Sequence, residues 1–395
     1  MGSPAKLIPE IVAWQDEFAR IRQDIHQHPE LGFEEQRTSS TVAELLSQWG
    51  FEVHRGVGGT GVVGVLRKGS ATPAIGIRAD MDALPINEVG TCGYRSIATG
   101  KMHACGHDGH TATLLCAAKY LAQHGQFNGT LNLIFQPAEE LLGGARAMLD
   151  DGLLDRFPCE TLFALHTAPG LPLGHVLICE GALTASSDRV TITLTGEGGH
   201  GAMPHKTRDP IVAAAALVGA LQSIVSRNVP ASEVAVITVG AIQAGEAPNV
   251  IPDEALLRLS VRATKPEIRD LLEQRIGETV HGVAAAHRVK GHIDYERLVP
   301  VLMNDGAATQ RLLDVARDVF GAEQIMTRVP SGFLGSEDFA WMLQERPGCY
   351  IALGNGTQGA HGCSVHNPGF DFNDQAIAYG ATLWAQLVET SLAAR

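Results

Sequence analysis

The first half of the chain alternates helical and extended stretches, and that alternation constrains the fold more than any other feature. Apolar residues recur at helical spacing over 11–27 and 41–49, extended apolar runs follow at 61–66 and 74–77, and a second cycle gives a helix at 111–124, a strand at 131–135, a helix at 145–149 and a strand at 162–165. Strands separated by helices cannot close as tight hairpins; they line up in parallel and need cover on both faces. Near Ser187 the pattern changes. Residues 189–195 alternate apolar and polar side chains, as a strand with one wet face does, and are followed by a helix at 210–225, strands at 234–241 and 255–263, a helix at 266–286 and a strand at 289–295. This is the β-α-β-β-α-β order of a ferredoxin-like unit. A helix at 307–320, a strand at 349–353 and a helix at 374–393 then resume the first pattern. The expected fold is α/β: a mostly parallel sheet flanked by helices, built from 1–186 and 298–395, with a ferredoxin-like α+β domain inserted at 187–297.

Composition narrows the partners. A chain of 395 residues with 45% hydrophobic and 18% charged side chains can bury two sizeable cores. Its formal charge of −13 repels nucleic acid and anionic membranes at long range, which leaves small molecules as the expected substrates. Residues 1–18 hold no basic segment followed by an apolar stretch, so neither a signal peptide nor a membrane anchor is expected there, and a cytoplasmic location follows. The 7 cysteines are odd in number and scattered through apolar runs, as buried reduced thiols are.

The densest chemistry is His103-Ala-Cys105-Gly-His107-Asp108-Gly-His110, read as a loop immediately before an apolar helix. Thiol and imidazole are borderline-soft ligands, and the alternation of Cys105 and His107 can aim both at one ion. The competing reading is a helix start capped by Asp108. Glu139 and Glu140 follow the strand at 131–135, where open α/β sheets place their sites. Adjacent carboxylates repel unless a cation or proton intervenes, although a solvated loop carries such pairs too. His166 ends the strand at 162–165 and His366 lies in the loop 361–368; each alone reads equally as a satisfied core histidine. Recurrence at several strand ends favours metal.

Six motifs stand in order: Arg78-Ala-Asp80-Met-Asp82-Ala-Leu-Pro85, Gly100-Lys-Met-His-Ala-Cys-Gly-His-Asp-Gly-His110, Phe135-Gln-Pro-Ala-Glu-Glu140, Gly198-Gly-His-Gly-Ala-Met-Pro-His205, Asn249-Val-Ile-Pro252 and Gly335-Ser-Glu-Asp-Phe339. Together they resemble the hippurate hydrolase and auxin-conjugate (indole-3-acetyl-amino acid) amidohydrolase branch of the metal-dependent aminoacylase/carboxypeptidase family, from about Ile21 to the C-terminus. The resemblance implies a zinc-peptidase-like catalytic domain and an inserted lid and dimerisation domain. It implies two divalent ions per subunit, manganese or zinc first and cobalt or nickel next, on Cys105, His107, Glu140, His166 and His366, with Cys105 bridging. Glu139 matches the general base and His200 a lid histidine that reaches the neighbouring subunit's site. Asn249 and Arg262 match residues that hold the substrate's carboxylate end, and Asp80 and Asp82 match groups that brace the ligands. The implied reaction is hydrolysis of N-acyl amino acids by a homodimer or higher homo-oligomer. A metallocarboxypeptidase or dipeptidase on the same site is the alternative, and a non-catalytic binding protein would be expected to lack the base or a ligand. The chain departs from the pattern at Gly201, where alanine is usual, and at Leu141-Leu142, where glycine is frequent.

Overall fold

The computed structural model describes residues 5–328 and 334–393. Within them the chain divides into two compact units, the first drawn from Met1–Leu183, Met303–Ser331 and Asp338–Arg395, the second from Thr184–Leu302 and Gly332–Glu337. The second unit is wider than the expected 187–297, for reasons visible in its hydrogen bonds. Ser186 N–H donates to Ala263 O and Ala185 N–H to Gly335 O, tying both flanking segments to it.

The first unit is built on an eight-stranded sheet in the order Glu52–Val57, Gly61–Lys68, Gly129–Gln136, Ala74–Asp80, Thr161–Pro169, Gly348–Gly356, Val176–Leu177, Ile325–Met326. The four strands from Gly129–Gln136 to Gly348–Gly356 are mutually parallel, while Glu52–Val57, Gly61–Lys68 and Val176–Leu177 pair antiparallel on either side. Every residue of Ala74–Asp80 is buried, so both faces of the sheet centre are covered, as a parallel centre requires. The principal covering helix, His107–Gln123, is buried at every residue from His107 to Ala118. It packs beside Ala376–Ser391, and Leu114, Leu115, Phe135, Phe163, Ile351, Leu383 and Trp384 share one core. Each such side chain contributes roughly 1.5–3 kcal/mol on leaving water.

Two local readings are corrected by the structure. The helix expected from 111 begins at His107, because Gly106 takes a left-handed φ of 88° and turns the chain directly into it. A Cβ at Gly106 would stand 2.7 Å from Thr167 Cγ2, so close packing also demands glycine. Glu52–Val57 was not foreseen as a strand; its partly exposed, polar run carries little apolar signal, and it exists as the antiparallel edge partner of Gly61–Lys68.

The second unit has a four-stranded antiparallel sheet in the order Ala235–Ala244, Glu254–Ala263, Ser187–Thr195, Lys290–Val299. Helices Pro210–Asn228 and Pro266–His287 pack on it, with Leu217, Leu221, Leu272 and Ile276 meeting Val190, Ile192, Leu257 and Leu259 in a separate core. Helix Pro210–Asn228 is apolar enough to cross a membrane by length and composition, yet Ala213, Leu217, Leu221 and Ile224 are buried in this core. Buried Asp188 pairs with Arg269 at 2.9 Å and accepts from the Tyr295 hydroxyl at 2.8 Å, joining sheet to helix.

Candidate metal centre

The site lies where the parallel strands of the first unit end. Asp80 and Gln136 are register partners at the last position of their strands, and His166 stands opposite Ala352 on the next pair. Glu139 and Glu140 follow Gln136 in a tight turn in which Ala138 and Leu142 adopt positive φ of 51° and 57°. Glu35 accepts the Ala138 N–H at 2.8 Å and so holds that conformation. His366 also has a positive φ, 64°, and its N–H donates to Ala104 O at 2.7 Å, which pins its loop to the segment carrying Cys105. Non-glycine residues in this region cost on the order of 1–3 kcal/mol each and persist where surroundings over-determine them.

Residues far apart in sequence converge. Ligand atoms of Cys105, His107 and His166 lie within 4.8 Å of one another, as do those of Cys105, Glu140 and His366, and those of His107, Glu139 and Glu140. Cys105 belongs to two of these triads. Its sulfur is 3.2 Å from His166 Nε2, and His366 Nε2 is 3.2 Å from Glu140 Oε1. His107 Nε2 stands 4.0 Å from both Glu139 Oε2 and Glu140 Oε1.

Behind these donors lies a buried frame. Asp82 takes His107 Nδ1 at 3.1 Å on one oxygen and the Glu140 N–H at 2.9 Å on the other, linking two ligand types through one carboxylate. Asp80 engages His110 Nδ1 at 2.6 Å and the Arg78 guanidinium at 2.6 Å. His110 Nε2 in turn accepts the Thr167 N–H at 2.8 Å, next to His166. Arg78, fully buried, also donates to Gln136 Oε1 at 2.8 Å and to Asp338 at 3.2 Å, while Asp338 accepts the Ala145 N–H at 2.9 Å. Asp108 does not cap its helix: it is buried in the first turn, 2.9 Å from His26 Nδ1 and 3.5 Å from Arg22. Of these supports, Arg78, His110, Glu35 and Asp338 were given no role from sequence. Arg78, His110 and Asp338 sit inside the quoted motifs, but only the fold shows what each one holds.

The electrostatics ask for a cation. Burial, with the charges of Glu140, Glu139 and Asp80, pushes the Cys105 thiol well above its ordinary range, so a thiolate here requires positive charge close by. Burial opposes protonation of His107, yet Asp80, Asp82 and Glu140 lift it to about 10. His166 is driven well down by burial and by His110, which leaves it a neutral ligand type. His107 Nε2 is buried without a hydrogen-bond partner among the described residues, while buried Glu140 Oε1 is met by His366 Nε2 at 3.2 Å. Such an orphaned atom is costly unless something engages it. Thiol, imidazoles and carboxylates sharing one space fit divalent ions of the zinc and manganese type.

The other singled-out residues belong to the second unit. His200, exposed, sits on the short strand Gly199–His200, which pairs with Val250–Ile251, and Gly201 N–H donates to Asn249 O at 2.8 Å. A Cβ at Gly201 would come within 3.1 Å of the Asn249 backbone, so glycine lets these strands approach closely. This ribbon brings His200 and Asn249 together. Arg262, half-buried on Glu254–Ala263, donates through Nη1 to Leu334 O and Ser336 Oγ, both at 3.0 Å.

The model of peptidase family M20/M25/M40 matches residues 76–390. The chain is 45% identical over 382 residues to hippurate hydrolase of Campylobacter jejuni, covering 96% of this chain and 98% of that one. It is 35% identical over 382 residues to N-acetylcysteine deacetylase of Bacillus subtilis, covering 95% and 97%. A solved Bacillus subtilis structure, described as a dinuclear metal binding peptidase of the M20 family, superposes with a TM-score of 0.84 at 31% identity over 96% of this chain and 99% of that one. By sequence and by architecture alike, this chain is a member of the M20/M25/M40 peptidase family.

Proposed function

We propose that the protein hydrolyses the amide bond of N-acyl amino acids at a binuclear metal site formed by Cys105, His107, Glu140, His166 and His366. The observation that carries this is the pair of donor triads sharing Cys105, with His107 Nε2 buried and without a hydrogen-bond partner among the described residues. The relatives named hippurate hydrolase, N-acetylcysteine deacetylase and IAA-amino acid hydrolase ILR1-like 2, the last from Arabidopsis thaliana and 36% identical, support the substrate class. Bound there, two divalent ions supply Lewis-acid polarisation of the scissile carbonyl and a more acidic water. The thiol favours zinc and the carboxylates suit manganese equally.

The chain's own groups supply proton transfer and positioning. Glu139, buried and 4.0 Å from His107, acts as the general base; it takes a proton from the attacking water and delivers it to the leaving nitrogen, a task worth about 10²–10⁴ in rate. Asp82 and Asp80 fix His107 and its surroundings. His200 donates to the oxyanion, and Asn249 and Arg262 receive the substrate's carboxylate. Leu141, directly after Glu140, is 62% exposed with Cδ1 set against Gly32, an apolar surface suited to an aromatic or long acyl group.

A second copy of the chain completes the assembly in this reading. Helix Pro210–Asn228 turns Ile211 (42% exposed) and Val212 (53%) outward, and the edge strand Ala235–Ala244 of the same unit exposes Ile242 (50%). An unpaired edge beside apolar side chains suits a twin. Seven unbridged cysteines accord with a reducing, cytoplasmic setting.

The decisive experiment measures amino acid release from hippurate, N-acetyl and indoleacetyl amino acids and from dipeptides, after chelation and after restoring each metal in turn. The reading requires chelator-sensitive cleavage of acyl amino acids. Cleavage of dipeptides alone would replace it with a dipeptidase, and inertness with every metal would reject catalysis.

A further inference from the structure

Apart from the residues assigned to the metal pair, the first unit gathers a second set of metal-ligand types. Ligand atoms of His26, Glu88 and Cys92 all lie within 4.8 Å of one another. His26 Nε2 is 3.4 Å from Glu88 Oε1, and Cys92 Sγ is 3.6 Å from the same oxygen. Tetrahedral zinc, with bonds of about 2.0–2.3 Å to nitrogen, oxygen and sulfur, separates its donors by roughly 3.3–3.6 Å. The imidazole–carboxylate and thiol–carboxylate spacings are therefore already those of ligands on one ion.

The atoms facing away from this point are held by other groups. His26 Nδ1 is 2.9 Å from Asp108 Oδ2, the carboxylate–imidazole arrangement that orients a ligating histidine and leaves Nε2 for the ion. Glu88 Oε2 accepts the Ser96 N–H at 2.7 Å, and Glu88 O accepts from Arg95 at 2.9 Å, so Oε1 is the oxygen turned inward. His26 and Glu88 are buried, whereas Cys92 is half-buried and offers a way in. In the absence of an ion, protons hold the triad together: His26 is in hydrogen-bonding distance of Glu88, and Cys92 donates to it. A plain hydrogen-bonded cluster pinning residues 88–96 to helix Gln15–Gln27 would use the same contacts, and the test below separates the two.

We propose that His26, Glu88 and Cys92 form a third divalent-cation site in each chain, of zinc type, distinct from the pair at Cys105. A metal entering it replaces the bridging protons with one ion and releases them.

The test uses the full chain, stripped and then equilibrated with buffered excess Zn²⁺ as sole metal. Zinc per chain is counted by elemental analysis in the parent and in Cys92→Ser, and alkylation of Cys92 is followed by peptide mass spectrometry with and without Zn²⁺. The parent is expected to hold one ion more than Cys92→Ser, and Zn²⁺ to slow Cys92 alkylation at least tenfold. Equal zinc counts together with equal alkylation rates would overturn the proposal and leave the hydrogen-bonded cluster. Because the count is read as a difference of one ion, it stands even if the Cys105 site binds fewer than two. Serine keeps a hydroxyl donor for Glu88; should that variant still fail to fold, the protection measurement on the parent decides alone.

Discussion

Replacing Asp82 by asparagine tests whether the buried carboxylate frame sets metal affinity. Asp82 serves two donors at once, His107 Nδ1 at 3.1 Å and the Glu140 N–H at 2.9 Å, and both it and His107 are inaccessible to water. An amide has one acceptor oxygen and one NH₂ group, so Asp82→Asn can satisfy one of these donors and must turn a donor toward the other. If the oxygen stays with Glu140, His107 loses the negative partner that raises its basicity, a change typically worth 10–100-fold in metal affinity, or about 1.4–2.7 kcal/mol. If the oxygen turns to His107, the Glu140 N–H is left unpaired at a cost of about 1–3 kcal/mol and the Glu140 carboxylate loses its anchor. Either way the metal dissociation constant should rise by at least tenfold, measured by competition with a chromophoric chelator. Turnover at saturating metal should recover to within several-fold, because Asp82 moves no proton in the reaction. A dissociation constant within twofold of the parent would refute the reasoning and make Asp82 a packing residue.

Glu139→Gln should abolish turnover with metal content near that of the parent, whereas Glu140→Gln should lose metal; elemental analysis showing the opposite pattern would exchange their roles. Cys105 should alkylate faster in metal-free than in metal-loaded protein, since coordination covers the sulfur, and equal rates by peptide mass spectrometry would argue against ligation. Mixing Glu139→Ala with His200→Ala chains under subunit exchange should restore activity if His200 acts across subunits, because one site of each mixed dimer is then intact; persistent inactivity with heterodimers confirmed by native mass spectrometry would place it in its own chain's site. Burial disfavours a charged His26, but its bonds to Asp108 and Glu88 outweigh that and lift it to about 9. Its folded value thus exceeds the ordinary one of about 6.5, so its stabilisation, on the order of 3 kcal/mol, is complete below about pH 6.5 and fades as pH rises through about 9. In zinc-free buffer His26→Gln should flatten the melting temperature across that window, and parallel slopes for parent and variant would count against the charged pair.

Local pattern was enough to read the layers and the ligand types. The apolar runs at 74–77, 131–135, 162–165 and 349–353 are the four parallel strands, because a strand buried on both faces must be apolar throughout. The alternation at 189–195 became the second unit's sheet, whose outer face stays polar. Cys105 and His107, where a loop leads into a helix, and Glu139 and Glu140, just past a strand, stood out because such clusters of thiol, imidazole and carboxylate groups are chemically unusual. What local pattern could not supply was partnership across the chain. Neither periodicity nor propensity tells that Arg78 would meet Asp338, 260 positions away, or that Glu35 would hold the Ala138 N–H that bends the glutamate pair into place. A lone histidine reads the same in a core as on a metal, so local pattern left His166 and His366 open and only the family resemblance marked them as ligands; strand order and the His366–Ala104 bond show how they reach Cys105 and Glu140. Residue chemistry is written one position at a time; the distances that turn it into a site are set by how the strands pair and which loops they leave adjacent.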